Sequence, residues 1–165
     1  MDNFEEEIKQ GFLEEAEQQL ADTEQCFLLL EAEPHDRATL EKIFRLAHNI
    51  KGSSRAVGFD SLGSFTHEFE SFLIKCKSGA LPITGATISL MLRCNDHLNR
   101  SVQALKADRS ATLNNTAIIA EIAAFGAAHA RARLRRGRGM GCAEGGDFRD
   151  DGRVVEGGAA IGLQC

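Results

Sequence analysis

At 165 residues the chain is long enough for one domain with its own core, and an apolar fraction of 43% is ordinary for a globular protein. A net charge of −5 argues against nucleic acid or an anionic membrane as a partner. The aromatic content is phenylalanine alone, with no tryptophan or tyrosine, which removes the usual base-stacking platforms.

The acidic start, Met1 to Glu7, has no basic region followed by an apolar one, so no signal peptide is expected. Phe4, Ile8, Phe12, Ala16 and Leu20 recur every fourth residue and are joined by Leu13 and Phe27. They predict one long helix with an acidic outer face, running to about Leu30. Pro34-His35-Asp36 punctuates, after which Leu40, Ile43, Phe44, Ala47 and Ile50 mark a second helix that should stop at Gly58. Asp60 is the candidate cap of a third helix with Leu62, Phe65, Phe69, Phe72 and Cys76 inward, ended by Ser78-Gly79 and Pro82.

Thr84 is the candidate cap of a fourth, whose stripe of Ile88, Met91, Leu92, Leu98, Val102 and Leu105 runs to about Lys106. Asn114 or Asn115 opens a fifth through Ile118, Ile122 and Phe125. No segment alternates like a strand, and no apolar run approaches the roughly 20 residues that cross a bilayer. Short links between amphipathic helices favour antiparallel neighbours. The expected fold is all-α: an antiparallel up-and-down four-helix bundle with a fifth C-terminal helix and a disordered tail.

Composition changes after about Ala130. Arg131 to Gly139 is rich in arginine, and residues 131–165 hold nine of the 16 glycines, so this part reads as an Arg/Gly-rich disordered tail or linker behind a helical domain over residues 1–130. A shifted reading frame or a vector-derived end has the same bias. The five cysteines, Cys26, Cys76, Cys94, Cys142 and Cys165, lack metal-ligand or redox spacing, which fits a reduced cytoplasm. Cys76 and Cys94 fall at core spacing and read as small buried hydrophobes.

One segment stands apart from packing. His48-Asn49-Ile50-Lys51-Gly52-Ser53-Ser54 puts an imidazole, an ammonium and a residue without a side chain on one helix face, since i, i+3 and i+4 share a face. Glycine inside a helix costs roughly 1 kcal/mol against alanine, so Gly52 one turn from a histidine suggests a large body approaching the ring. The stretch Ile43 to Ser54, followed by Val57-Gly58-Phe59 and Thr66-His67-Glu68-Phe69-Glu70, resembles the histidine phosphotransfer (HPt) domain, and most closely the N-terminal phosphotransfer domain of the CheA chemotaxis kinases. The resemblance covers about residues 1–130. It implies that His48 accepts a phosphoryl group, that His67 and Glu70 flank it, and that the partners are a histidine kinase catalytic domain as donor and a response-regulator receiver domain of the CheY or CheB kind as acceptor.

The chemistry agrees with that implication. A neutral imidazole has one nucleophilic nitrogen, and a carboxylate accepting from Nδ1–H would fix the tautomer and leave Nε2 facing outward. His67 and Glu70 share a face of the third helix. If the second and third helices are antiparallel about Gly58-Phe59, His48 and Glu70 lie about equally far from the turn and meet. Lys51 supplies charge to neutralise a phosphoryl group, and Arg45 and Arg55 near the same face would tune a partner's approach. His35, His97 and His129 match nothing in the family pattern and read as structural or exposed.

The chain departs from CheA sequences at Ser53-Ser54-Arg55, where small or glycine-rich residues are common, a difference that bears on partner choice. Nothing resembles an ATP-binding kinase module, so the chain reads as a phosphoryl carrier, either free-standing or a piece of a longer kinase, with no cofactor. Two rivals remain. A helical adaptor would leave His48, Lys51 and Gly52 on one face as an accident. A metal-binding bundle needs Glu-x-x-His pairs converging from several helices, whereas this chain has one His-x-x-Glu, so no metal is expected.

Overall fold

The computed structural model describes residues 2–138. They form α1 (Asp2–Ala32), α2 (Arg37–Ala56), α3 (Asp60–Lys77), α4 (Gly85–Ala107) and α5 (Thr116–Arg138), with no strand among the described residues. Cross-helix contacts set the directions. Glu17 meets Lys106 and Gln10 meets Arg109, so α1 and α4 are antiparallel. Glu41 meets Lys77 while His48 meets Glu70, which makes α2 and α3 antiparallel. Four helices thus close an up-and-down bundle, as expected from the sequence. α5 packs on α3 and α4. It runs parallel to α3, because Asn115 bonds Ser61 and Phe125 packs on Phe72.

Local chemistry accounts for the helix ends. The Asp36 carboxylate accepts from the Ala38 N–H at 2.9 Å, satisfying a donor that the first turn of α2 cannot bond internally, and from the Thr39 hydroxyl at 2.6 Å. Thr84 and Thr87 cap α4 reciprocally, each hydroxyl accepting from the other's N–H at 3.3 Å. Gly58 takes φ +84° after α2, a left-handed conformation that side chains disfavour, and it reverses the chain into α3. Asp60 is not the cap of α3. Phe59 occupies that position without a side-chain hydrogen bond, and Asp60 lies in the first turn, where a carboxylate meets the positive end of the helix dipole.

The core is the apolar stripe of each helix. Leu13, Leu20, Phe27 and Leu30 from α1 meet Ile43 and Ile50 from α2, Leu62, Phe65, Phe69, Phe72 and Leu73 from α3, and Ile88, Met91, Leu98 and Val102 from α4. Side chains of this size stabilise the fold by about 1.5–3 kcal/mol each when fully buried. Cys26, Cys76 and Cys94 are buried free thiols. Burial pushes the Cys76 thiol up to about 12, and burial, chiefly, does the same for Cys94.

Two further expectations need correction. Phe4 and Ile8 continue the α1 stripe yet are 70% and 45% exposed, because α1 starts before its neighbours do and its first buried side chain is Phe12. The stripe has no cover there. α5 also passes the boundary placed at Ala130 and runs to Arg138. Residues 131–135 are all exposed, so good helix formers such as alanine, arginine and leucine continue the helix without packing. The rest of the expected disordered tail, with Cys142 and Cys165, lies outside the described residues. No helix among the described residues is long and apolar enough to cross a membrane.

Candidate functional site

The site lies across the middle of the α2–α3 pair. Its position depends on how closely α3 begins against α2. A Cβ on Gly63 would sit 2.7 Å from Arg55 Cγ and 3.1 Å from Ser54 Oγ, so only glycine permits this approach without displacing them. Ser54 is wholly buried and donates to the Lys51 carbonyl at 3.1 Å. The register that follows brings α2 positions 48 and 51 opposite α3 position 70.

His48 Nδ1 lies 2.6 Å from Glu70 Oε1, and Lys51 Nζ donates to Glu70 Oε2 at 2.5 Å. The carboxylate is almost wholly buried, with its side chain 6% exposed, whereas that of His48 is 59% exposed. Burial alone would raise the Glu70 carboxyl, but hydrogen bonds and charges from Lys51 and His48 outweigh it and hold the group below the ordinary glutamate value. Glu70 is therefore ionised at neutral pH and can only accept. In the neutral imidazole the bond to Glu70 requires the proton on Nδ1, which leaves the lone pair on Nε2. Nothing among the described residues hydrogen-bonds to Nε2. A desolvated anion behind an exposed, unprotonated ring nitrogen is an arrangement for nucleophilic attack outward from the helix pair.

The other candidates fall around this centre. His67, half-exposed, brings Nδ1 to 4.0 Å from Glu70 Oε2, within charge interaction but beyond a hydrogen bond. Lys51, the charge the sequence offers to a phosphoryl group, pairs with Glu70 and is only 21% exposed. Gly52 is exposed with nothing within 4 Å of where its Cβ would be, so no contact inside this chain requires glycine. Arg45 is exposed and pairs with Glu41 at 3.3 Å, one turn before His48. Arg55 is exposed beside the Gly63 crossing.

Sequence reasoning missed Gly63, whose only signal was a glycine inside an apolar helix. It also treated Phe44 as a core residue alone. The Phe44 ring is half-buried and also lies against the His48 imidazole, centroid to centroid 6.0 Å at 29°. Of the remaining histidines, His35 is exposed, His97 bonds Asn115 Oδ1 at 2.8 Å, and His129 stacks on Phe125. Among the described residues no group of three or more His, Cys, Asp or Glu side chains converges as metal ligands would.

An exposed histidine backed by a buried carboxylate on the neighbouring helix of a four-helix bundle is an arrangement suited to phosphotransfer. Residues 7–108 match the family model for the Hpt domain, and the chain belongs to that family. The curated proteins it resembles include chemotaxis proteins CheA and a sensor histidine kinase CheAY. The chain is 40% identical over 92 residues to the chemotaxis protein CheA of Rhizobium meliloti, covering 56% of this chain and 12% of that protein. It is 37% identical over 97 residues to CheA of Salmonella typhimurium, covering 59% and 14%, and 33% identical over 108 residues to the sensor histidine kinase CheAY of Helicobacter pylori, covering 66% and 13%. The chain spans less than a fifth of the length of these curated relatives. Among solved structures it is similar to the phosphorylated P1 domain of CheA3 in complex with CheY6 from R. sphaeroides, with a TM-score of 0.64 and 26% identity, covering 76% of this chain and 97% of that one.

Proposed function

We propose that this chain is the phosphotransfer module of a cytoplasmic chemotaxis-type phosphorelay, with His48 as phosphoacceptor. The observation that carries the reading is the Glu70 carboxylate, buried and ionised behind His48 Nδ1, with Nε2 free to solvent. The Nε2 lone pair attacks the γ-phosphorus of ATP held by the catalytic domain of a histidine kinase; the N–P bond forms and ADP leaves with the electrons of the broken P–O bond. The Nδ1 proton stays on the ring, where Glu70 opposes the positive charge that develops. In the second half, an aspartate carboxylate of a response-regulator receiver domain attacks the phosphorus, and the lone pair returns to Nε2.

The geometry supports a role for each neighbour. Glu70 orients and activates the ring. Lys51 holds the second carboxylate oxygen and keeps Glu70 ionised, and its charge remains close to a phosphoryl group on His48. His67 adds a second imidazole at the edge of the carboxylate. Gly52 leaves bare backbone one turn beyond His48, and Arg45 and Arg55 flank the approach of a partner. The CheA3 P1 domain, similar over nearly its whole length, is described as phosphorylated and in complex with CheY6, which supports a receiver domain of the CheY or CheB kind as the acceptor here. The functional unit in this reading is residues 1–130, followed by a tail or linker. ATP chemistry belongs to a kinase catalytic domain that acts on this module.

The experiment is to supply the full chain with the catalytic domain of a CheA-type kinase and ATP. Acid-labile, alkali-stable phosphate is expected on His48, and its transfer to a receiver domain should follow. Phosphate on another residue, or none, would overturn the assignment.

A further inference from the structure

One hydrogen bond does not fix a ring. The Glu70 contact holds one atom of the His48 imidazole, and with the side chain 59% exposed, core packing does not set the ring plane. A second constraint lies on the other side. Phe44, one turn earlier on α2, brings its ring to 6.0 Å from the imidazole centroid at 29°, an offset near-parallel stack. Phe44 is itself clamped. Lys77, from the last turn of α3, places Nζ 3.9 Å from the centroid of the Phe44 ring and pairs with Glu41 Oε2 at 2.5 Å. Glu41 and Phe44 are one turn apart on α2, so the ammonium is held at once by a carboxylate and a ring from the same helix.

We infer that Phe44, held by Lys77 and Glu41, is a positioning residue that sets the plane of the His48 imidazole and so the direction of Nε2. The α2–α3 pair then carries two clasps on the same ring: Glu70 with Lys51 at Nδ1, and Phe44 with Lys77 at the ring face. The Glu41–Lys77 pair is partly exposed, so as an isolated ion pair it adds little stability; its effect is geometric. Misdirection of an attacking atom slows a reaction without weakening partner binding.

This inference rests on His48 being the phosphoacceptor, and the test separates the two. In the full chain, Phe44→Leu keeps an apolar side chain against the core but removes the ring, while Phe44→Tyr keeps the ring. Before any phosphorylation, the His48 ring protons should lose their aromatic ring-current shift in Phe44→Leu and keep it in Phe44→Tyr. With the kinase catalytic domain and ATP, Phe44→Leu should lower kcat by about three- to ten-fold at unchanged KM, and Phe44→Tyr should restore it. Lys77→Met should lower kcat by a smaller factor. Should Phe44→Leu lose helical signal, the folded Lys77→Met variant decides: a reduced kcat supports the clasp, and a wild-type kcat overturns it. If wild type carries no phosphate on His48, the phosphoacceptor reading falls first. If wild type is labelled normally and folded Phe44→Leu matches its kcat, only the positioning role falls.

Discussion

Two histidines in this bundle bridge antiparallel helices, and under the proposed function only one of them carries chemistry. His48 joins α2 to α3 through a buried carboxylate, and His97 joins α4 to the start of α5 through the amide oxygen of Asn115. His48 bonds through Nδ1 and leaves Nε2 in solvent, whereas His97 spends Nε2 on Asn115 and lays its ring against the Phe65 ring at 4.6 Å. An amide cannot oppose a developing positive charge as an anion can. In the proposed reading, the difference between a nucleophile and a structural strut lies in the charge of the partner and in which nitrogen is left over. The ring is the same.

The sharpest way to break that comparison is to exchange the two effects. His48→Gln should abolish phosphorylation while leaving the helical signal and melting temperature unchanged, since the exposed ring fills no core space. His97→Gln should do the reverse, lowering the melting temperature while phosphorylation proceeds. Phosphate incorporation by His48→Gln at the wild-type rate would remove the distinction.

The next effect in size belongs to the carboxylate. Glu70→Ala takes away the group that orients and activates the ring, and phosphorylation should slow about 10- to 100-fold, roughly 1.4 to 2.7 kcal/mol in the barrier. Lys51→Ala should slow it less, with an effect that shrinks as salt rises. The depressed carboxyl also carries a pH dependence. Its contribution to stability is fully present above the ordinary glutamate value and is lost as pH falls through the lower value of the folded state. Melting temperatures of wild type and Glu70→Gln should therefore differ at neutral pH and converge in acid. A gap independent of pH would mean that the carboxylate charge is not what Lys51 and His48 hold.

Much of this was legible in the sequence because it depends on spacing within one helix. The stripes of α2, α3 and α4 and the His48-x-x-Lys51-Gly52 face follow from helical periodicity, and the pairing of His48 with Glu70 follows from counting outward from the turn at Gly58. What periodicity cannot report is where a neighbouring helix ends. Phe4 and Ile8 repeat correctly but have nothing to cover them, and Arg131–Arg135 stay helical on propensity alone. Nor does spacing reveal competition between partners. Lys51 faces His48 in projection, yet the buried Glu70 oxygen claims its ammonium, since an unpaired anion in that position would cost more than any surface contact returns. The close approach at Gly63 and the Asn115 bridge depend on contacts far apart in sequence, and a glycine inside an apolar helix is the one local sign of either.

Asn115 tests the structural half of the comparison with a smaller effect. Its side chain donates to the Ser61 carbonyl at 2.8 Å and hydroxyl at 3.2 Å and accepts from His97, tying α3, α4 and the start of α5 together. Asn115→Ala should cost about 1–3 kcal/mol in denaturant unfolding, with phosphorylation per folded molecule unchanged. Loss of phosphorylation in the folded variant would mean that this end of the bundle also shapes the His48 site. Gly52→Ala should act in the opposite sense. With open space where the Cβ would go, alanine should stabilise α2 by up to about 1 kcal/mol, while transfer to a receiver domain slows if bare backbone is needed for docking. Faster or unchanged transfer would remove Gly52 from the docking face.

The smallest expected effect concerns the far end of α5. Among the described side chains His129 is the last half-buried one of the helix, through the ring of Phe125 at 4.5 Å, and every residue from Arg131 to Arg135 is exposed. Such residues lower the free energy of the helix only through local propensity, and a helical overhang is in equilibrium with its own frayed state. A chain ending at Ala130 should therefore lose helical signal in proportion to the residues removed while melting at the temperature of the full chain and accepting phosphate on His48 at the same rate. A drop of more than about 4 °C, on the order of 1 kcal/mol for a domain of this size, would show that residues beyond Ala130 pack against the bundle. An unchanged melting temperature with slower transfer to a receiver would instead place the arginines of this overhang in partner docking, on the opposite side of the comparison from His97.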